Sequence, residues 1–95
     1  MAVILSLAPT SEIAAFGGGA RTCANAFATD NYPTSYAWVM GYFSGVNTAS
    51  VSKVGQTADG DVTIGEVQLL CQREPGLRLI EAAERAYTAM RESDR

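Results

Sequence analysis

The sequence contains two cysteines, Cys23 and Cys71, and no histidine. A domain of this size buries only about 60% of its unfolded surface, so small proteins often carry a covalent or metal staple. A Cys/His zinc site cannot form without histidine, and two thiolates alone are too few ligands for structural zinc. A disulfide would close a loop of about 48 residues and contribute roughly 4 kcal/mol. The alternative is two unpaired buried thiols, which behave as small apolar side chains.

The first residues form a short apolar run, residues 2–8, and Ala15-Phe16-Gly17 fits the small-x-small rule for signal-peptide cleavage. The run is too short to span a membrane. No Lys or Arg precedes it, so the alternatives are an export signal that starts further upstream and an ordinary apolar N-terminus. We expect residues 1–20 to be a signal remnant with a flexible Gly-rich junction, residues 17–19. A single helical domain should then occupy residues 21–95, in the periplasm.

Charge is distributed unevenly along the chain. Ten acidic and seven basic residues give a formal net charge of −3, without a Lys/Arg cluster. This balance argues against a nucleic-acid or anionic-membrane surface. Asp30 is the only charged residue between Thr22 and Ser52, whereas charges of both signs are dense from Glu66 to Arg95. We therefore expect the first stretch to form core or interface and the second to form solvated surface.

Hydrophobic periodicity predicts four helices, which makes the fold all-α. The first helix contains Cys23 and ends at the turn-forming cluster 29–31. The second begins at Pro33 and runs to about Asn47, and the hydroxyl residues after the proline are placed to cap its free amide groups. A long Ser/Thr/Gly-rich loop, 48–62, follows.

The third helix is predicted to begin at Thr63, with Glu66 completing a capping box, and to end near Glu74. Pro75-Gly76 then separates it from a fourth helix that runs to the end of the sequence. The apolar face of the fourth helix should comprise Leu77, Ile80, Ala83, Tyr87 and Met90. Its outward charged residues should be Arg78, Glu81, Glu84, Arg85, Arg91 and Glu92, with Glu81 and Arg85 spaced to pair.

The second helix carries two distinct stripes. The apolar stripe comprises Val39, Tyr42, Phe43 and Val46, flanked by Trp38. The stripe of small residues comprises Ala37, Gly41 and Gly45. In a membrane the small stripe would suggest a dimer seam, but no apolar run here is long enough to span one. We expect it to allow close packing of helices within the domain.

The sequence offers little for catalysis. Missing histidine removes Ser-His-Asp and Cys-His chemistry. Two acidic pairs, Asp59 with Asp61 and Glu81 with Glu84, are typical of solvated charges, and the first pair lacks the other ligands of a calcium loop. No glycine motif fits a nucleotide site. We predict a protein without enzymatic activity, cofactor or metal.

Three segments, taken in order, resemble the HdeA/HdeB family of periplasmic acid-stress chaperones. They are Arg21-Thr22-Cys23, Trp38-Val39-Met40-Gly41-Tyr42-Phe43-Ser44-Gly45-Val46-Asn47, and Leu70-Cys71-Gln72-Arg73-Glu74-Pro75. The resemblance implies a small helical fold, a Cys23–Cys71 disulfide, a periplasmic location and no catalysis. Family chaperones are folded dimers near neutral pH that loosen in acid and hold unfolded clients.

If the chain is such a chaperone, its client or dimer surface is predicted to comprise Trp38, Val39, Tyr42 and Phe43. The alternative is that these four side chains are ordinary core.

A second resemblance points to another function. Immunity proteins of type VI secretion systems also show a Gly-Tyr-x-x-Gly segment, here residues 41–45, followed by a helix, a proline and a charged C-terminal helix. This resemblance implies that the chain binds and inhibits one specific toxin. A structural subunit of a larger envelope assembly is a third possibility, without a motif of its own.

Overall fold

The computed structural model describes residues 13–95. The apolar run that we interpreted as part of an export signal lies outside these residues. The described helices are α1 (Cys23–Ala26), α2 (Tyr32–Ser50), α3 (Gly60–Arg73) and α4 (Leu79–Glu92). Single 3-10 turns stand at Gly17–Ala20 and Thr29–Asn31. Within residues 13–95 there is no strand, and the predicted all-α class is confirmed.

The disulfide is confirmed, and it ties α1 to α3. Cys23 and Cys71 are bonded, their Cα atoms are 5.0 Å apart, and both side chains are buried. Backbone hydrogen bonds fix α1 further, because Cys23 N donates to Leu77 O at 2.6 Å and Leu79 N donates to Arg21 O at 2.8 Å. The short first helix is therefore held against the connection between α3 and α4.

The core lies between α2, α3 and α4, and α4 supplies the largest part of it. The buried apolar residues of α4 are Leu79, Ala82, Ala83, Ala86, Tyr87 and Met90. Val39 and Phe43 of α2 and Ile64 and Val67 of α3 pack against them. The inward face predicted for the fourth helix is confirmed at Ala83, Tyr87 and Met90, whereas Leu77 and Ile80 are only partly buried. The charged C-terminal stretch is therefore not solvated surface throughout, as its charge density had suggested.

Helix α2 begins without the side-chain cap that we predicted. No side chain caps its first turn; instead the Ser35 hydroxyl is buried and donates to the Ala26 carbonyl at 2.6 Å, which joins α2 to α1. The helix also continues past Asn47 to Ser50. It ends where Val51 adopts a left-handed conformation, φ 54°, and Val51 N returns to Asn47 O.

The N-cap of helix α3 lies four residues before the predicted one. Asp59 is its N-cap, and the Asp59 carboxylate accepts a hydrogen bond from Val62 N at 2.9 Å. Thr63 lies inside the helix and is buried, so it does not cap. Glu66 pairs with Arg95 at 2.9 Å instead of completing a capping box. The loop before α3 is correspondingly shorter than we expected.

Glu81 corrects a prediction about α4. We placed it on the outward face, but it is only 8% exposed, and its carboxylate accepts a hydrogen bond from the backbone N of Arg78 at 2.7 Å. It satisfies an otherwise free amide at the start of α4. The ion pair on this side of the molecule joins Arg85 to Glu74 at 3.0 Å. The capping role of Glu81 thus replaces the predicted Glu81–Arg85 pair.

None of the helices among the described residues has both the length and the apolar character needed to cross a lipid bilayer.

Candidate functional site

Helix α2 concentrates the aromatic side chains of the protein and carries no charge. Its 19 residues contain no Asp, Glu, Lys or Arg. Its aromatic residues are Tyr32, Tyr36, Trp38, Tyr42 and Phe43. Surfaces that bind other proteins are typically rich in aromatic residues and poor in charge at their centre. Helix α2 is therefore the candidate site of this molecule.

The four residues of the predicted client surface divide into two pairs. Val39 and Phe43 are buried, at 0% and 4% exposure, and belong to the core. Trp38 and Tyr42 are partly buried, and their rings stack with centroids 5.5 Å apart and planes inclined by 18°. In the folded protein, this second pair alone lies near the surface.

The Trp38–Tyr42 pair is connected to the core through aromatic contacts. Tyr42 meets Phe43 edge to face at 6.4 Å, and Phe43 meets Tyr87 of α4 in the same way at 5.1 Å. Such contacts each contribute about 0.5–1.5 kcal/mol beyond the burial of area. They orient α2 so that one aromatic face points to α4 while the Trp38 ring lies at its edge.

The environment of Tyr42 favours its neutral form. Burial raises the pKa of the Tyr42 hydroxyl above the ordinary value of 10.0, and the nearby Glu84 carboxylate and Tyr87 raise it further. Tyr42 therefore stays an uncharged phenol at physiological pH. This keeps the exposed side of the aromatic cluster free of charge.

A segment before the first helix covers Trp38. We call residues 13–20 the strap. Trp38 Nε1 donates to the Phe16 carbonyl at 3.0 Å, and an Arg78 guanidinium N–H donates to the Ile13 carbonyl at 2.7 Å. Gly18 and Gly19 are buried against the indole. The prediction of a flexible junction at 17–19 was therefore wrong, since these glycines form a 3-10 turn packed on α2.

The sequence signal for the strap was the glycine run itself, because bare backbone permits close approach to another group. Nothing in the sequence named Trp38 as that group, since the contact joins segments about twenty residues apart in a tertiary arrangement.

The stripe of small residues does not pack within the domain. Ala37, Gly41 and Gly45 are exposed, and a Cβ added at either glycine would meet no atom within 4 Å. Our prediction of close helix packing at these positions was wrong. The apolar side chains of α2 bury the opposite face, which leaves the small stripe in solvent.

A cavity lies between α2 and the loop before α3. It has a volume of about 360 Å³, and its walls include Met40, Phe43, Lys53 and Thr63. Its polar lining consists of hydroxyl and amide groups beside the single lysine of the sequence. The cavity therefore places an aromatic wall next to polar groups but brings no carboxylate to them.

The acidic pairs considered from the sequence do not form a reactive centre. Asp59 caps α3, and Glu81 caps α4, so one member of each pair is engaged with backbone amides. Among residues 13–95 no three Cys, Asp or Glu side chains converge on a point that could hold a metal ion.

No protein-family model, curated protein or solved structure matches this chain.

Proposed function

We propose that the protein is an exported acid-stress chaperone of the HdeA/HdeB kind, which covers the aromatic face of α2 near neutral pH and exposes it in acid to hold unfolded clients. The observation that carries the proposal is the uncharged, aromatic-rich α2, packed against α4, whose own stretch of sequence carries charges of both signs. Apolar aromatic surface binds unfolded polypeptides with little regard to their sequence.

The contacts that secure the ends of the helices depend on carboxylates. Glu66 pairs with Arg95, Asp59 caps α3, and Glu81 caps α4. Hydrogen bonds and ion pairs to an ionised carboxylate are stronger than those between neutral groups. With its carboxylates neutral, the chain changes from a formal charge of −3 to an excess of positive charge on its seven basic residues. Mutual repulsion then favours an open state.

The disulfide supports both the location and the mechanism. Disulfides persist in oxidising compartments such as the periplasm. Because the bond joins α1 to α3, the whole of α2 lies inside the closed loop between Cys23 and Cys71. Helix α2 can move away from α4 while both ends of this loop stay fixed. Opening in acid therefore exposes aromatic surface without complete expansion of the chain.

The test is suppression of aggregation of an acid-sensitive client at about pH 3, where exposed carboxylates are largely protonated. The oxidised protein should suppress light scattering by the client in acid and have no effect at neutral pH. Its oligomeric state is measured at both values by light scattering after gel filtration. A reduced and alkylated sample, which lacks the disulfide and carries an alkyl group on each cysteine sulfur, is measured for comparison.

A protein that remains compact and leaves aggregation unchanged in acid would overturn the proposal. Tight binding of one partner at neutral pH, with no holding activity in acid, would instead favour the toxin-inhibitor alternative.

A further inference from the structure

The strap contacts the body of the protein through its backbone. Trp38 Nε1 donates to the main-chain carbonyl of Phe16, and one N–H of the Arg78 guanidinium donates to the main-chain carbonyl of Ile13. These two carbonyls are three residues apart, so they are separated by at most about 10 Å of chain. Any extended peptide offers carbonyls at this spacing, whatever its side chains.

The side chains of the strap are only partly covered, since even Ile13 is 43% exposed. The largest side chain of the strap, Phe16, is 82% exposed. At Gly18 an added Cβ would lie 3.6 Å from Trp38 Cβ, an ordinary contact, whereas at Gly19 it would overlap the indole ring. The indole therefore lies directly against the backbone of Gly19.

These features make the strap a weak cover. Glycine loses more conformational freedom on ordering than any other residue, so fixing Gly17, Gly18 and Gly19 is entropically costly. The strap offsets this cost with two side-chain hydrogen bonds to its carbonyls and with contact to one face of the indole. A peptide that made the same hydrogen bonds and also buried an apolar side chain would bind this surface more strongly.

We infer that the surface beneath the strap, formed by Trp38 and the Arg78 guanidinium, is a binding site for extended segments of unfolded polypeptide, and that the strap is its intramolecular competitor. The inference rests on the proposed function, for which it names the contact surface. Recognition of main-chain carbonyls, together with stacking of a peptide unit on the indole, explains how one site accepts many sequences. Tyr42, stacked on the same indole, extends the aromatic surface toward α4.

Two neighbouring glycines provide a matched test in the full chain. Gly19→Ala places a methyl group where the indole lies and should displace the strap, while Gly18→Ala should leave it bound. The protein contains one tryptophan, so its fluorescence reports on Trp38 alone. Gly19→Ala should shift the emission to longer wavelength and increase quenching by acrylamide, and Gly18→Ala should resemble the wild type.

Binding is then measured at neutral pH with reduced, carboxymethylated lysozyme, which cannot fold. If the strap occupies the site most of the time, freeing the site should lower the Kd for this probe by about tenfold in Gly19→Ala. Gly18→Ala should bind like the wild type. Unchanged Trp38 emission in Gly19→Ala, or exposed Trp38 without tighter binding, overturns the inference.

A second measurement uses the wild type and does not depend on the folding of a variant. Hydrogen exchange at the amides of residues 14–20 should accelerate when the wild type is saturated with the same probe. Equal or slower exchange overturns the inference. Suppression of aggregation in acid, combined with failure of these tests, leaves the chaperone proposal standing with another contact surface. If these binding tests succeed but the protein does not suppress aggregation in acid, the binding site is supported and the role in acid stress is refuted.

Discussion

The hydroxyl of Tyr87 on α4 donates a hydrogen bond of 2.6 Å to the side-chain carbonyl of Asn47 on α2. The same Asn47 side chain also accepts from Val54 N at 3.0 Å and donates to Val54 O at 2.9 Å. One side chain thus joins α2, α4 and the loop before α3. An asparagine in a helix otherwise has poor intrinsic helix propensity, so its position here reflects these tertiary contacts.

We predict that removing the Asn47 side chain lowers the free energy of unfolding more than removing the Tyr87 hydroxyl, which donates a hydrogen bond to it. Asn47→Ala leaves three polar groups without their partner and should lower the free energy of unfolding by about 2–3 kcal/mol. Tyr87→Phe removes one hydrogen bond and should cost about 1 kcal/mol. Urea unfolding followed by circular dichroism measures both values. Equal losses in the two variants would contradict the bridging role of Asn47.

The cap of α3 is predicted to reside in Asp59. Asp59→Ala removes the acceptor for Val62 N and should lower the free energy of unfolding by about 1 kcal/mol. Asp61→Ala is the control, because it removes the same charge from the same helix end, and should cost less than about 0.5 kcal/mol. Thermal unfolding of both variants gives the comparison. A larger loss for Asp61→Ala would show that charge, and not the cap, stabilises this end of α3.

The exposed glycines of α2 are predicted to be sites where alanine stabilises the protein. A Cβ at Gly41 or Gly45 would meet no neighbour within 4 Å, and both residues are helical. Gly41→Ala and Gly45→Ala should each raise the free energy of unfolding by about 0.5–1 kcal/mol. Denaturant unfolding at several protein concentrations measures the gain. A loss that grows as the protein concentration rises would show that a second molecule packs closely on this stripe in the wild type.

The raised pKa of Tyr42 predicts a dependence of stability on alkaline pH. Because the folded state favours the neutral phenol, this contribution is fully present below the unfolded-state pKa of about 10. It is lost as pH rises through the higher folded-state pKa. The free energy of unfolding of Tyr42→Phe should therefore fall less steeply at alkaline pH than that of the wild type. The measurement is the free energy of unfolding at a series of alkaline pH values.

Two carboxylate variants of α4 test the contribution of Glu84 to the pKa of Tyr42. Glu84→Gln should lower the pKa of Tyr42, because the negative carboxylate is among the causes that raise it. Glu92→Gln, on the exposed end of the same helix, should leave it unchanged. Ultraviolet absorbance of tyrosinate gives the titration curves, and coincident curves for wild type and Glu84→Gln would refute the assignment.

The hydrophobic periodicity of the helices and the pairing of the two cysteines could be predicted from the sequence. The choice between two possible N-caps of one helix could not. Val39 and Phe43 were assigned to one stripe by spacing alone, and both are in the core. Asp59 and Thr63 are both suitable N-caps by composition. The structure selects Asp59 because Thr63 is drawn into the core beside Phe43 and Gly55, a tertiary effect that local rules cannot include.

The candidate site was only partly predictable for the same reason. Trp38 and Tyr42 were identified from aromatic spacing, but the strap that covers Trp38 was not. Its glycines signal a close approach without naming the partner, and the two hydrogen bonds that fix it use backbone carbonyls, which every residue carries. The position of Glu81 could not be predicted for a similar reason. Its place in the amphipathic pattern predicts an outward side chain, but its carboxylate accepts a hydrogen bond from a backbone amide and is buried there.

Helix α4 follows the other three helices in the chain, yet it carries the largest share of the buried apolar residues. Helices α1 to α3 alone lack the partner surface that buries Val39, Phe43 and Val67. These three helices are therefore expected to pack stably only once α4 is available to them.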